Sequence, residues 1–161
     1  MTAWHLPDRE AMLALGAALA QCLKHGDVLL LEGDLGAGKT TLAQGILAAL
    51  METPEPVTSP TFTMLQTYPI LLKDGRRGEA WHYDLYRVKH AAELEELALE
   101  DALQQALVLI EWPDRLTALP PGAIRLSVSF SQDGRGRNVA LHVPPAKHHD
   151  WKDCYGLTSS A

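Results

Sequence analysis

The sequence predicts an α/β protein, a P-loop NTPase-like three-layer fold with a mixed parallel and antiparallel central sheet flanked by helices. Three observations predict it. Val28 to Leu31 is a short, wholly apolar run, the pattern of a strand covered on both faces in a parallel sheet. The stretch Gly33-Asp34-Leu35-Gly36-Ala37-Gly38-Lys39-Thr40 follows at once, fits G-x-x-x-x-G-K-[ST], and runs into a helical pattern. Near the end, Ile124 to Phe130 and Val139 to Val143 alternate apolar with polar residues around a turn holding Gly134 and Gly136, which predicts a closing antiparallel hairpin.

The other elements follow in order. Trp4 to Leu6 reads as a short opening strand. Asp8 can cap a helix to about Lys24, whose apolar stripe is Met12, Leu15, Leu19, Cys22 and Leu23. His25-Gly26-Asp27 turns the chain into the first buried strand. The helix after the glycine-rich loop runs from about Lys39 to Leu50. Thr53 to Pro60 carries three prolines and is a surface loop. Phe62 to Leu72 and Ala80 to Tyr86 read as strands joined by the turn Lys73 to Gly78. Ala91 to about Gln105 reads as one acidic helix, with Leu94, Leu97 and Ala98 inward and Glu93, Glu95, Glu96 and Glu100 in solvent. Leu107 to Ile110 is a second buried run, closed by Glu111, and Pro113 can start a helical turn. Residues 1–143 form a single domain in this reading. Residues 144–161 show no period and are expected to be a loosely held tail.

Composition narrows the function. The 161 residues carry a net charge of −6, a poor balance for gripping DNA or RNA over a broad surface. Cys22 and Cys154, distant and outside any C-x-x-C, are expected to be free thiols in a reducing cytosol. The start, MTAWHLPDREAM, has no secretion-signal pattern, and no apolar run approaches the length of a membrane span. The expectation is a cytoplasmic protein with no membrane and no DNA partner.

The glycine-rich loop carries the chemistry. Phosphate oxygens need several donors converging on one point. Glycines let consecutive backbone N–H groups approach, and the helix that follows adds its own N–H groups and dipole. The expected nucleotide-binding residues are Gly33, Asp34, Gly36, Ala37, Gly38, Lys39, Thr40 and Thr41. Lys39 brings a point charge to the β- and γ-phosphates, Thr40 offers a hydroxyl to magnesium, and Thr41 can reach the α-phosphate. A magnesium–triphosphate site also needs an acid at a neighbouring strand end. Glu111 closes the more apolar strand and is assigned to the metal, directly or through water. Asp84 is assigned to ordering the attacking water or to an outer metal contact. The pattern leaves an exchange of these roles open.

Hydroxyls of the loop Val57-Thr58-Ser59-Pro60-Thr61-Phe62, Ser59 and Thr61 among them, are within reach of a γ-phosphate, and such a loop orders with triphosphate. The residues alone balance this against a loop without a role. His82 shares a strand face with Asp84 and reads as a packed or hydrogen-bonded histidine. Trp112, beside Glu111, can pack near the nucleotide or serve as core, with packing as the default reading. His148, His149, Asp150 and Cys154 match no zinc spacing. The single asparagine, Asn138, is followed by Val139, so the N-K-x-D segment that reads guanine is missing and ATP is expected over GTP. A small-molecule kinase is the rival class, weakened because no arginine-rich lid follows; Arg76 and Arg77 lie in a short turn. A nucleotide-sensing module without useful turnover is the third class.

Together, Gly33 to Thr41, Thr58-Ser59-Pro60-Thr61-Phe62, His82-Tyr83-Asp84-Leu85-Tyr86-Arg87, Glu93-Leu94-Glu95-Glu96-Leu97 and Ile110-Glu111-Trp112 resemble the bacterial TsaE (YjeE) family in type and order, over roughly residues 5 to 143. The resemblance implies an ATP–Mg2+ hydrolase, slow alone, that supports threonylcarbamoyladenosine formation on tRNA by resetting the complex between turnovers. It implies TsaB and TsaD as partners, with transfer chemistry left to TsaD and tRNA met only indirectly. It also implies that the 57–62 loop is switch-like, and it supports Lys39, Asp84 and Glu111 as the catalytic set. Arg137 is a further guess for a nucleotide neighbour.

Overall fold

The computed structural model describes residues 2–60 and 63–154. Seven strands form one sheet: β1 (Thr2–Leu6), β2 (Val28–Glu32), β3 (Leu65–Leu71), β4 (Arg77–Asp84), β5 (Leu107–Glu111), β6 (Ile124–Phe130) and β7 (Arg137–His142). Their order is β1-β7-β6-β2-β5-β4-β3. The centre is parallel, with β2 between β5 and β6 and β4 beside β5. The flanks are antiparallel: β3 on β4, and β7 between β6 and β1.

Two helical layers cover the sheet. On one face lie α1 (Arg9–Ala20) and α2 (Lys39–Leu50); on the other, α3 (Ala91–Glu96) and α4 (Leu99–Gln105). Alternation along β2 divides the core: Leu29 and Leu31 join Met12, Leu42 and Ile46, while Val28 and Leu30 join Tyr83, Ala102 and Ile110. Both faces of β2 and β5 need covering, which is why these strands contain so little polar sequence. Asp8 caps α1 by accepting from the Ala11 N–H at 2.8 Å. Among the described residues no helix is long and apolar enough to cross a membrane.

The structure departs from the sequence reading in several places. The acidic 91–105 helix is broken. Ala98 is left-handed at φ 53°, and the Tyr83 hydroxyl donates to the Leu97 carbonyl at 2.8 Å, so a tertiary contact ends the first helix where no glycine or proline does. The strand expected to run to Tyr86 stops at Asp84, because the Asp84 carboxylate accepts from the Tyr86 N–H and the chain turns. β3 begins at Leu65 rather than Phe62; Thr61 and Phe62 lie outside the described residues.

The segment after Pro144 is docked as far as 154. It forms helical turns, including α5 (His148–Trp151), and buries Trp151 and Cys154 in the larger core. Lys147 pairs with Asp27 at 2.6 Å, and Asp150 with Lys24 at 3.0 Å. Docking brings Cys154 onto Cys22, 132 residues away, and the structure joins them as a disulfide. This corrects the expectation of two free thiols: sequence spacing holds no information about which helix a distant tail covers.

α1 and α2 cross unusually closely. A Cβ at Gly45 would sit 2.5 Å from the Leu13 carbonyl oxygen, and one at Gly16 would sit 2.7 Å from that of Leu42. Backbone cannot yield as a side chain can, so Gly45→Ala is expected to cost about 1–3 kcal/mol through overpacking, against about 1 kcal/mol of helix propensity gained. Thermal unfolding checks this. A raised melting temperature would contradict the close crossing.

Candidate functional site

The loop between β2 and α2 depends on glycine at two points. Gly38, the N-cap of α2, has φ 115°. At Gly33, φ is 150° and a Cβ would collide with the Val128 carbonyl oxygen. No side chain caps α2, so its first-turn N–H groups face the loop's concave side without an internal acceptor. Arg137 steadies the loop from β7: its Nε donates to the Ala37 carbonyl at 3.0 Å, and its guanidinium lies 4.3 Å from the Phe130 ring.

Beside the loop is a cleft of about 300 Å3 lined by residues 35–41, Ser59, Asp84, Glu111 and Trp112. Four separate chain regions therefore meet there. Topology explains it: β2, β4 and β5 are parallel, so their C-terminal ends open on the same edge, and the register pairs Asp84 with Glu111. Thr40 Oγ1 donates to Glu111 Oε1 at 2.8 Å. The other carboxylate oxygen, Oε2, lies 2.6 Å from His82 Nε2. Asp84 is buried beside this pair.

Lys39 is almost fully covered. Its ammonium donates to the carbonyls of Gly33 and Asp34 and lies 3.7 Å from the centre of the Trp112 ring. Burial pulls its pKa below the usual lysine range, while Glu111, Asp84, Asp34 and Asp114 push it back up. A phosphate at the loop would push the same way, so the ammonium is poised for an anion.

The oxygen donors suit magnesium. A hydroxyl, a carboxylate and phosphate oxygens with several waters are the usual hard set for this ion, which seldom takes an all-protein cage.

The structure thus brings together Gly33, Asp34, Gly36, Ala37, Gly38, Lys39, Thr40, Thr41, Ser59, Asp84 and Glu111 around one loop. Thr61 lies outside the described residues. Sequence reasoning missed three contacts. Trp112 is left-handed at φ 60°, which turns its ring back over Lys39; a positive φ at tryptophan leaves no trace in sequence. The His82–Glu111 pair required knowing that β4 and β5 are neighbours. The hold of Arg137 on Ala37 required the position of β7.

A mixed sheet with a parallel centre, a glycine-rich loop opening a helix, and a lysine–threonine pair facing strand-end acids define a P-loop-like α/β protein. The comparisons make this specific. Residues 6–139 match the family described as "Threonylcarbamoyl adenosine biosynthesis protein TsaE". A tRNA threonylcarbamoyladenosine biosynthesis protein TsaE from Nostoc is 40% identical over 139 residues, covering 83% of this chain and 82% of its own. One from Rickettsia conorii is 42% identical over 118 residues, 72% of this chain and 65% of its own. The crystal structure of Bacillus subtilis YdiB superposes with a TM-score of 0.75 at 26% identity, covering 95% of this chain and 92% of that one. The chain belongs to the TsaE family.

Proposed function

We propose that this protein is a magnesium-dependent ATPase that serves threonylcarbamoyladenosine formation on tRNA, acting on a TsaB–TsaD complex rather than transferring the group itself. The membership in the TsaE family supports the pathway. The observation that carries the ATPase reading is the contact of Thr40 Oγ1 with Glu111 Oε1 at 2.8 Å, beside a lysine held at the loop. It is the arrangement that a metal–triphosphate needs and that a plain glycine turn does not.

In this reading, loop and helix N–H groups hold the phosphates, and Lys39 leaves the Gly33 and Asp34 carbonyls for the γ-phosphate. Thr40 and Glu111 would hold magnesium, which would supply neutralising charge to the phosphates. Asp84 orients the attacking water, and Ser59 brings the 57–62 loop against the nucleotide. No arginine lines the cleft among the described residues, so transition-state charge is incompletely met. Hydrolysis is then slow alone and quickened by partners. With a net charge of −6 the protein meets tRNA through those partners.

The test is ATP turnover by the protein alone, then with purified TsaB, TsaD and tRNA. Stimulation by the complex is expected. Unchanged turnover together with no co-purification contradicts the partner reading, and a phosphorylated metabolite as product would make it a kinase.

A further inference from the structure

His82 is a buried polar side chain that the proposed chemistry leaves unused. It lies on β4, two residues before Asp84, and is fully buried. Its Nε2 is 2.6 Å from Glu111 Oε2, and its Nδ1 is buried with no hydrogen-bond partner. These two facts bear on the tautomer. A hydrogen on Nδ1 would be a buried donor without an acceptor, the costly kind of orphan, and would leave the Nε2 lone pair facing a carboxylate oxygen. The tautomer that carries its hydrogen on Nε2 avoids both faults and donates to Glu111.

The last torsion of a glutamate is broad, with roughly two-fold freedom. A carboxylate held at one oxygen loses that freedom. His82 takes Oε2, and this leaves Oε1 turned to Thr40 at 2.8 Å. A packed histidine would need no hydrogen bond into the site, whereas this one directs Nε2 there.

We propose that His82 is a positioning residue for the phosphoryl site, which binds Glu111 Oε2 so that Oε1 stays beside the Thr40 hydroxyl as the metal-facing oxygen. This rests on the magnesium–ATP reading of the same cleft. His82 touches neither nucleotide nor metal. It acts through Glu111, as outer hydrogen bonds commonly orient the carboxylates that bind metals.

Three variants separate positioning from packing. His82→Gln carries an amide N–H that reaches about as far as Nε2. His82→Asn is polar but too short, its amide reaching only the Nδ1 position. His82→Leu fills the volume without a donor. Affinity for a non-hydrolysable ATP analogue is measured by calorimetry in Mg2+ and again in EDTA, with thermal unfolding alongside. The Mg2+-dependent gain in affinity is expected to fall about 10-fold or more for Asn and Leu, with affinity in EDTA unchanged, and to survive in Gln. Wild-type gains in Asn and Leu would overturn the proposal. So would equal losses in Mg2+ and EDTA, or a Gln variant as impaired as Asn, since those are the marks of packing alone. If the wild-type protein itself gains no affinity from Mg2+, the magnesium–ATP reading fails, and the role of His82 fails with it.

Discussion

Lys39→Ala is expected to lower ATP affinity at least about 100-fold, the loss of roughly 3 kcal/mol of charge-assisted contact to phosphate. Turnover at saturating ATP should fall a further 10²–10³-fold, about the effect of removing one donor aimed at developing charge. The fold should survive. Lys39 is a nearly buried cation whose hydrogen-bond acceptors are two carbonyls, so its removal orphans no side-chain hydrogen bond shown for it. Calorimetric binding, steady-state turnover and thermal unfolding check the three statements. A Lys39→Ala protein that hydrolyses ATP normally would mean the loop is not the site.

The second large effect separates the two acids. Alanine at Glu111 would leave the Thr40 hydroxyl and the His82 N–H without their acceptor, so Glu111→Gln is the cleaner change. It keeps a carbonyl oxygen for His82 and removes the charge. Glu111→Gln is expected to lose most of the Mg2+ dependence of ATP binding, by about 10-fold or more, and turnover with it. Asp84→Asn should bind Mg2+–ATP within about threefold of wild type yet turn over about 10²-fold more slowly, the scale of a lost water-orienting group. Binding and single-turnover rates for each variant distinguish the roles. The reverse pattern would exchange them, giving Asp84 the metal and Glu111 the water.

Much of this was legible in the sequence because local patterns carry it. A short apolar run with no polar alternation, bounded by turn residues, reads as a strand covered on both faces, and β2 and β5 are such strands. The glycine-rich loop announces itself by spacing. Asp84 and Glu111 could be named as candidates because a metal–triphosphate needs an acid at a neighbouring strand end, and the structure lines one cleft with both. What stayed hidden depends on distance in space. Nothing near Ala98 marks a helix break; the break is made by Tyr83 from the neighbouring sheet. Nothing near Gly16 or Gly45 marks a close crossing, since a glycine inside a helix looks like a weakness until the partner helix is seen. The segment after Pro144 has no period, yet as far as residue 154 it is docked through a buried Trp151 and two ion pairs. His82 was visible as sharing a strand face with Asp84. Its hydrogen bond to Glu111 became visible only with the β4–β5 register.

The central claim is that ATP bound at residues 33–41 is spent on other proteins and not on a small substrate. The direct measurement is threonylcarbamoyladenosine formed on tRNA by purified TsaB and TsaD over many equivalents of product, with this protein added as wild type or as Lys39→Ala. Repeated rounds are predicted with wild type and ATP, and formation should stop near one equivalent with Lys39→Ala. Repeated rounds sustained equally by the Lys39→Ala protein would contradict the account.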